Sequence, residues 1–369
     1  MAARRRGSKP KQRSIPPQAL IDPQFAAFSR RLHAAQNRLD VYMHRSGGPV
    51  VIEGAAEGNQ LMEALPLPLS LQHQLEDSFL ALNGLLQLNL QLTSDPQNAD
   101  VRVIGAEVIP FGLASDSLLG LSLQTQADQQ PGWEVLLALE GSDAAQQGYA
   151  GNHELGHTLG MEHAFDGADG DRAGPRSPKR SYFPDETVMA YRKPRAGLDW
   201  SQSWQRNDIR ALAKVWQMAP GAQLPLAANG PSRLRGSDAD DVLIGGPGAD
   251  QLHGLGGNDL LIDGAGADRL DGGTGFNRYR AERDGDRDRL RIQADGMVDV
   301  VRSLGAEDRI LLVAPGTVPL RFDYTAVQVL SFGTLTGIGI WLGSSLEVLV
   351  SDSSWELDQL QAATWVLGS

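Results

Sequence analysis

The sequence predicts an α+β fold, in which a mixed sheet-and-helix domain is followed by an all-β parallel β-roll and a β-rich C-terminal region. Three observations carry that expectation. A helix-spaced set of histidines follows a run of alternating strand-like and helix-like segments, and a nine-residue glycine and aspartate repeat lies beyond it. The length of 369 residues suffices for two or three domains, each with its own core. The expected order is a basic N-terminal arm over 1–38, a candidate prosegment; the mixed domain over 39–220; a linker over 221–233; the roll over 234–280; and the β-rich region over 281–369, a candidate secretion signal.

The first 40 residues hold nine Lys/Arg against Asp22 and Asp40, and prolines at 16, 17 and 23 interrupt regular structure, so a disordered leader is expected. The whole chain carries a net charge of −12, and no aromatics interleave the arginine cluster. A nucleic-acid partner is therefore not expected. No cysteine is present, which excludes disulfides, thiolate metal sites and cysteine nucleophiles.

In the mixed domain, residues 39–43 read as a first strand, and Leu71, Leu75, Phe79, Leu82 and Leu86 recur at helical spacing. Strand-like runs follow at 88–93, 100–104, 118–124 and 133–139. Ser142 or Asp143 can cap the next helix. A last helix, started by Asn207 or Asp208, carries Ile209, Leu212, Val215 and Trp216 on one face. The uncharged stretch 324–346 is long enough to span a bilayer, but its glycines, serines and threonines read as strands and turns, so no stable membrane insertion is expected.

The helix after Ser142 holds the strongest chemical signal, from His153 to His163. Residues four apart lie about 400° around a helix, so His153 and His157 point the same way and can share one zinc. Glu154 projects beside them as the expected general base. His163 can join only if the chain turns first, and Gly160 stands where a left-handed residue would end the helix. Three neutral nitrogens leave a fourth coordination position open, as in catalytic zinc sites.

Glycine supplies 12 of the 45 residues from Gly236 to Arg280. Leu243, Leu252, Leu261, Leu270 and Tyr279 recur at intervals of nine, and two positions before them stand Asp241, Asp250, Asp259, Asp268 and Asn277. Residues 245–252 resemble the G-G-x-G-x-D-x-U-x nonapeptide of calcium-binding RTX proteins. In such a roll, glycine turns alternate with short strands, eighteen residues complete a coil, and stacked aspartates face a hard cation. Asp241, Asp259 and Asn277 would line one edge, and Asp250 and Asp268 the other. Without calcium these carboxylates repel, so folding is expected to require the ion.

His153, Glu154, His157, Gly160 and His163 together resemble the H-E-x-x-H-x-x-G-x-x-H zinc signature of the metzincin metalloproteases. Thr187-Val188-Met189-Ala190-Tyr191 resembles that superfamily's methionine turn. The resemblance implies that Met189 forms an apolar floor under the histidines. It also implies that Tyr191 matches the tyrosine that, in astacin-like and serralysin-like members, binds zinc and then the transition-state oxyanion. Peptide-bond hydrolysis is the implied reaction, with Glu154 moving the proton and an extended substrate pairing with an edge strand, here 118–124.

A metzincin domain ahead of an RTX roll is similar to the serralysin family of secreted bacterial zinc proteases. That similarity implies zinc and calcium as cofactors, protein or peptide substrates, and an extracellular location reached through type I secretion machinery. The chain departs from the family at Ala164, where serralysins usually have proline, and in residues 364–369, which lack the acid often found in such secretion signals. The alternative is a calcium-binding RTX adhesion or matrix protein with an inactive or non-peptidase zinc domain.

Overall fold

Two structural units share the chain, Ser14–Gln223 and one built on Leu224–Ser369. The computed structural model describes residues 13–54, 58–109, 118–125, 130–165, 177, 181–195, 200–222, 230–314, 319–329, 333–351 and 356–368. The basic cluster from Arg4 to Lys11 lies outside the described residues.

The chain from Ser14 onward is not a disordered leader. Pro17–Leu20 forms a 3₁₀ turn and Pro23–Gln36 the helix α1. Pro23 opens the helix instead of breaking it, because the first helical position needs no N–H donor. The Asp22 carboxylate caps it, accepting from the Gln24 N–H at 2.7 Å and the Phe25 N–H at 3.0 Å. Ile15, Ala19 and Leu20 are fully buried, and the Ile15 N–H donates to Asn207 Oδ1 at 3.0 Å. Residues 14–36 therefore belong to the first unit.

That unit is built on a twisted sheet. Its parallel centre is β4 (Leu90–Thr93), β1 (Leu39–Met43), β5 (Val101–Ala106) and β7 (Trp133–Ala138), in that order. Nearly every residue of β1, β5 and β7 is buried, polar ones included, as suits strands covered on both faces. Antiparallel partners are β2 (Gly48–Ile52) and β3 (Gln60–Leu65) at one end and β6 (Gly120–Gln124) beside β7. Two helices pack together, α2 (Leu69–Leu85) and α3 (Ala144–Thr158). Their approach depends on Gly148, where a Cβ would lie 1.8 Å from Gln74 Oε1. The Gln74 amide donates to the Gly148 carbonyl at 2.7 Å. The last helix, α4 (Arg206–Trp216), starts earlier than expected: Gln205 is the cap, and Asp208 completes a reciprocal capping box three residues in.

The second unit is a parallel roll of two sheets. One stacks β8 (Arg233–Arg235), β10 (Gln251–Gly256), β12 (Arg269–Thr274), β14 (Arg289–Gln293), β16 (Arg309–Ala314) and β20 (Thr364–Gly368). The other stacks β9 (Val242–Ile244), β11 (Leu260–Ile262), β13 (Arg278–Arg280), β15 (Asp299–Arg302) and β19 (Ser345–Ser351). The inward residues Leu243, Leu252, Leu261, Leu270 and Tyr279 join Leu290, Val301 and Ile310 in one buried core. The roll thus runs past residue 280. Coils lengthen from the 18 residues between Leu252 and Leu270 to the 20 between Leu270 and Leu290, so a fixed nine-residue interval loses the pattern there.

The uncharged stretch 324–346 falls on the antiparallel strands β17 (Leu320–Val329) and β18 (Gly333–Leu342) and the start of β19, apart from 330–332, which lie outside the described residues. No described helix is long and apolar enough to cross a membrane. A short helix α5 (Leu357–Ala363) adds Leu360 and Ala363 to the roll core.

Candidate metal centres

Helix α3 begins with a capping box. Asp143, the cap of the two candidates, accepts from the Gln146 N–H at 2.8 Å, and the Gln146 side chain accepts from the Asp143 N–H at 3.0 Å. The helix ends where the histidine register requires it. Gly160 has φ +99°, its N–H donates to the His157 carbonyl at 3.0 Å, and the Met161 N–H donates to the Gly156 carbonyl at 2.9 Å. This pair of bonds is a Schellman ending with glycine in the left-handed position. A Cβ at Gly160 would also meet the Ala26 Cα at 2.7 Å.

The turn brings three imidazoles together. His153 Nε2 and His157 Nε2 each lie 3.1 Å from His163 Nε2. The opposite nitrogens face backbone carbonyls, His153 Nδ1 at 2.7 Å from Val188 O and His157 Nδ1 at 2.9 Å from Met161 O. A carbonyl accepts only, so both Nδ1 atoms carry the proton and both Nε2 atoms present lone pairs. Burial and the neighbouring His157 push His153 down to about 3, and burial lowers His163 as well, so both rings are neutral at ordinary pH. Nitrogens so placed could hold a cation between them. Tetrahedral zinc with bonds of about 2.0–2.1 Å spaces its nitrogens about 3.3–3.4 Å apart. The two pairs at 3.1 Å, both made with His163, fit such an ion to within a few tenths of an ångström.

Glu154 lies beside the trio under strand β6. Its carboxylate accepts from the Ser122 hydroxyl at 2.8 Å, and burial pushes its pKa up to about 8, with that hydrogen bond opposing. The strand approaches so closely that a Cβ at Gly120 would lie 2.5 Å from Glu154 Cγ. Residues 118–124, expected as the edge strand, thus supply β6 and the wall of a cavity of about 130 Å³ that also involves Tyr149, Tyr191 and Trp200.

Met189 is fully buried, and its Sδ would lie 2.7 Å from a Cβ placed on Gly156, so it packs on the helix between the two helical histidines. The Tyr191 ring stands edge-on to His163, with centroids 4.4 Å apart, and remains half exposed. The segment holding both is clamped from outside. The Asp208 carboxylate accepts from the Thr187 hydroxyl, from the Val188 N–H at 3.0 Å and from the Gln205 N–H at 2.8 Å. Burial raises Asp208 to about 7 against those three bonds. The Tyr149 hydroxyl bridges the Ala190 carbonyl and N–H. Asp208 therefore holds Val188, whose carbonyl faces His153, directly through the Val188 N–H and indirectly through Thr187, whose hydroxyl accepts from the Met189 N–H at 3.1 Å. Gly120, Ser122, Tyr149 and Asp208 have no motif of their own, because each acts on residues 20 to 41 positions away in sequence.

In the roll, aspartates stack coil upon coil. The Asp241 N–H donates to Asp259 Oδ1 at 2.9 Å, and the Asp259 N–H to Asn277 Oδ1 at 3.1 Å. On the other edge the Asp250 N–H donates to Asp268 Oδ1 at 2.5 Å, and the Asp268 N–H to Asp288 Oδ1 at 2.8 Å. The ladders continue through Asp299, which accepts from the Asn277 N–H at 2.7 Å, and Asp308, which accepts from the Asp288 N–H at 3.0 Å. Asp288, Asp299 and Asp308 each stand two residues before the inward Leu290, Val301 and Ile310. That D-x-U spacing was the available signal for them once the glycines ended. Burial pushes Asp259 up to about 7 and Asp299 to about 8. The second oxygens of Asp259, Asp268 and Asp288 are buried without a hydrogen-bond partner.

Residues 227–261 and 244–279 match the family model of the RTX calcium-binding nonapeptide repeat (4 copies). The C-terminal unit carries RTX repeats. Their aspartate ladders are a calcium-binding architecture, and the orphaned carboxylate oxygens suit a hard cation. Among solved structures, the chain is similar to the AlgE6R3 subunit of the mannuronan C5-epimerase from Azotobacter vinelandii, at 22% identity, covering 32% of this chain and 78% of that one, with a TM-score of 0.18. No curated protein matches the chain.

Proposed function

We propose that the chain is a secreted zinc-dependent endopeptidase of metzincin type, similar to the serralysins, whose RTX unit folds on calcium. The observation that carries the reading is the convergence of three Nε2 atoms, with neighbours 3.1 Å apart, beside the buried carboxylate of Glu154. His153, His157 and His163 would hold zinc, which supplies Lewis acidity toward a water and a peptide carbonyl.

The chain's own residues supply the rest. Glu154, whose charged form a cation bound at the histidines would favour against the effect of burial, takes the proton from the attacking water and returns it to the leaving amine, and the Ser122 hydroxyl holds one carboxylate oxygen in place. The half-exposed Tyr191 hydroxyl can donate to the developing oxyanion. Strand β6 can pair with an extended substrate backbone. The cavity between Tyr149, Trp200 and Leu119 accepts one side chain of the peptide. Type I export would suit a cysteine-free chain that folds on meeting calcium outside the cell.

Casein cleavage by zinc- and calcium-loaded protein tests this directly. Glu154→Ala is expected to lower the rate by about 10²- to 10⁴-fold with zinc stoichiometry unchanged, and a chelator is expected to abolish it. Equal cleavage by wild type and variant would sink the peptidase reading and leave a calcium-binding protein with a non-peptidase zinc domain.

A further inference from the structure

Asp263 stands at the first position of its nonapeptide, where the equivalent residues are Gly236, Gly245, Gly254 and Gly272. Those glycines are forced by stacking. A Cβ at Gly245 would lie 1.6 Å from the Asp263 carbonyl oxygen, at Gly254 2.5 Å from that of Gly272, and at Gly236 2.6 Å from that of Gly254. The constraint lifts at Asp263. The coil after it is two residues longer, since Leu270 pairs with Leu290, and the turn gives the carboxylate room. Both Asp263 oxygens accept from the Glu282 N–H, at 2.9 and 3.0 Å.

The extra acid points at two others. Ligand oxygens of Asp263, Asp268 and Asp288 lie within 4.8 Å of one another, and all three residues are at most 1% exposed. Among the described residues, this and the histidine trio are the groups in which three such ligands converge. One oxygen of Asp268 and one of Asp288 are buried there with no hydrogen-bond partner. Each of the three is pushed above the ordinary carboxyl range by burial and by its acidic neighbours, so the cluster is short of positive charge. Asp288 lies beyond the matched repeats, which end at residue 279.

We infer that Asp263, Asp268 and Asp288 form a three-carboxylate calcium site at the junction between the nonapeptide coils and the longer coils, and that it is the tightest site of the roll and the first to fill. It differs from the sites between regular coils, where the first position offers only backbone. Affinity of calcium sites rises with the number of charged ligands. The inference rests on the calcium half of the proposed function and is independent of the peptidase half.

The test is calorimetric calcium titration of the full chain, with circular dichroism of the same samples. Asp263→Gly restores the residue found at the equivalent positions and should still fold at saturating calcium. Its first binding step should weaken at least about tenfold. Asp263→Asn, which keeps the shape, should do the same, whereas Asp323→Asn on an exposed strand should leave that step unchanged. Asp263 variants that titrate like wild type would overturn the site while leaving the calcium-binding roll standing. A wild-type chain that takes up no calcium would overturn both.

Discussion

The histidine centre and the aspartate ladders solve opposite electrostatic problems. At the histidines the ligand atoms are neutral, and each helical ring is already aimed by a carbonyl, Val188 O for His153 and Met161 O for His157. Burial favours that neutral form, so the geometry can exist before a metal arrives. In the roll the ligands are acids, stacked so that each carboxylate faces the next and burial opposes its charge. Neutral donors can be prepaid by ordinary packing; a stack of carboxylates must be neutralised by protons or by cations. On the proposed function, one region would be built for its ion and the other by it.

The largest expected effect comes from loosening the preformed side. Asp208→Ala removes the acceptor for Thr187, the Val188 N–H and the Gln205 N–H, so it should destabilise the first unit by about 2–3 kcal/mol. It should also weaken zinc binding by about 10- to 100-fold, because Val188, whose carbonyl orients His153, loses both its own bond to Asp208 and the anchored Thr187 hydroxyl beside it. Thermal denaturation and competition with a chromophoric chelator measure the two. An unchanged zinc affinity at lowered stability would mean that the His153 orientation does not depend on this clamp.

A smaller effect should come from replacing calcium with protons. Asp259 and Asp299 have folded-state values near 7 and 8, well above the ordinary carboxyl value near 4. Their folded forms hold protons that the unfolded chain has released. The stability they contribute is present below about pH 4 and is lost as pH rises toward 7–8. Metal-free protein should therefore recover part of its far-ultraviolet β signal on acidification from pH 8 to pH 5, whereas calcium-loaded protein should not gain. Loss of signal on the same acidification would show that charge repulsion is not what opens the roll.

Much of the histidine centre was legible because its ligands lie within eleven residues and one glycine must turn the chain. Gly160 does so with φ +99°. The inward leucines were legible for as long as the coils kept their 18-residue length. After Asn277 the turns lose glycine and gain residues, and only D-x-U at Asp288, Asp299 and Asp308 persists. The N-terminal helix was hidden by reading Pro23 as a breaker when Asp22 before it makes it a start. Asp208, Tyr149, Ser122 and Gly120 were illegible for a different reason: tertiary packing alone brings them to the site.

Hydrogen exchange of the full chain at pH 7.5, with calcium chelated and with calcium restored, tests the contrast most directly. The expected result is that amides of β9 to β16 exchange rapidly under chelation and regain protection with calcium, while those of α3 and β5 stay protected throughout. Protected roll strands in the calcium-free protein, or an α3 helix that opens along with them, would contradict it.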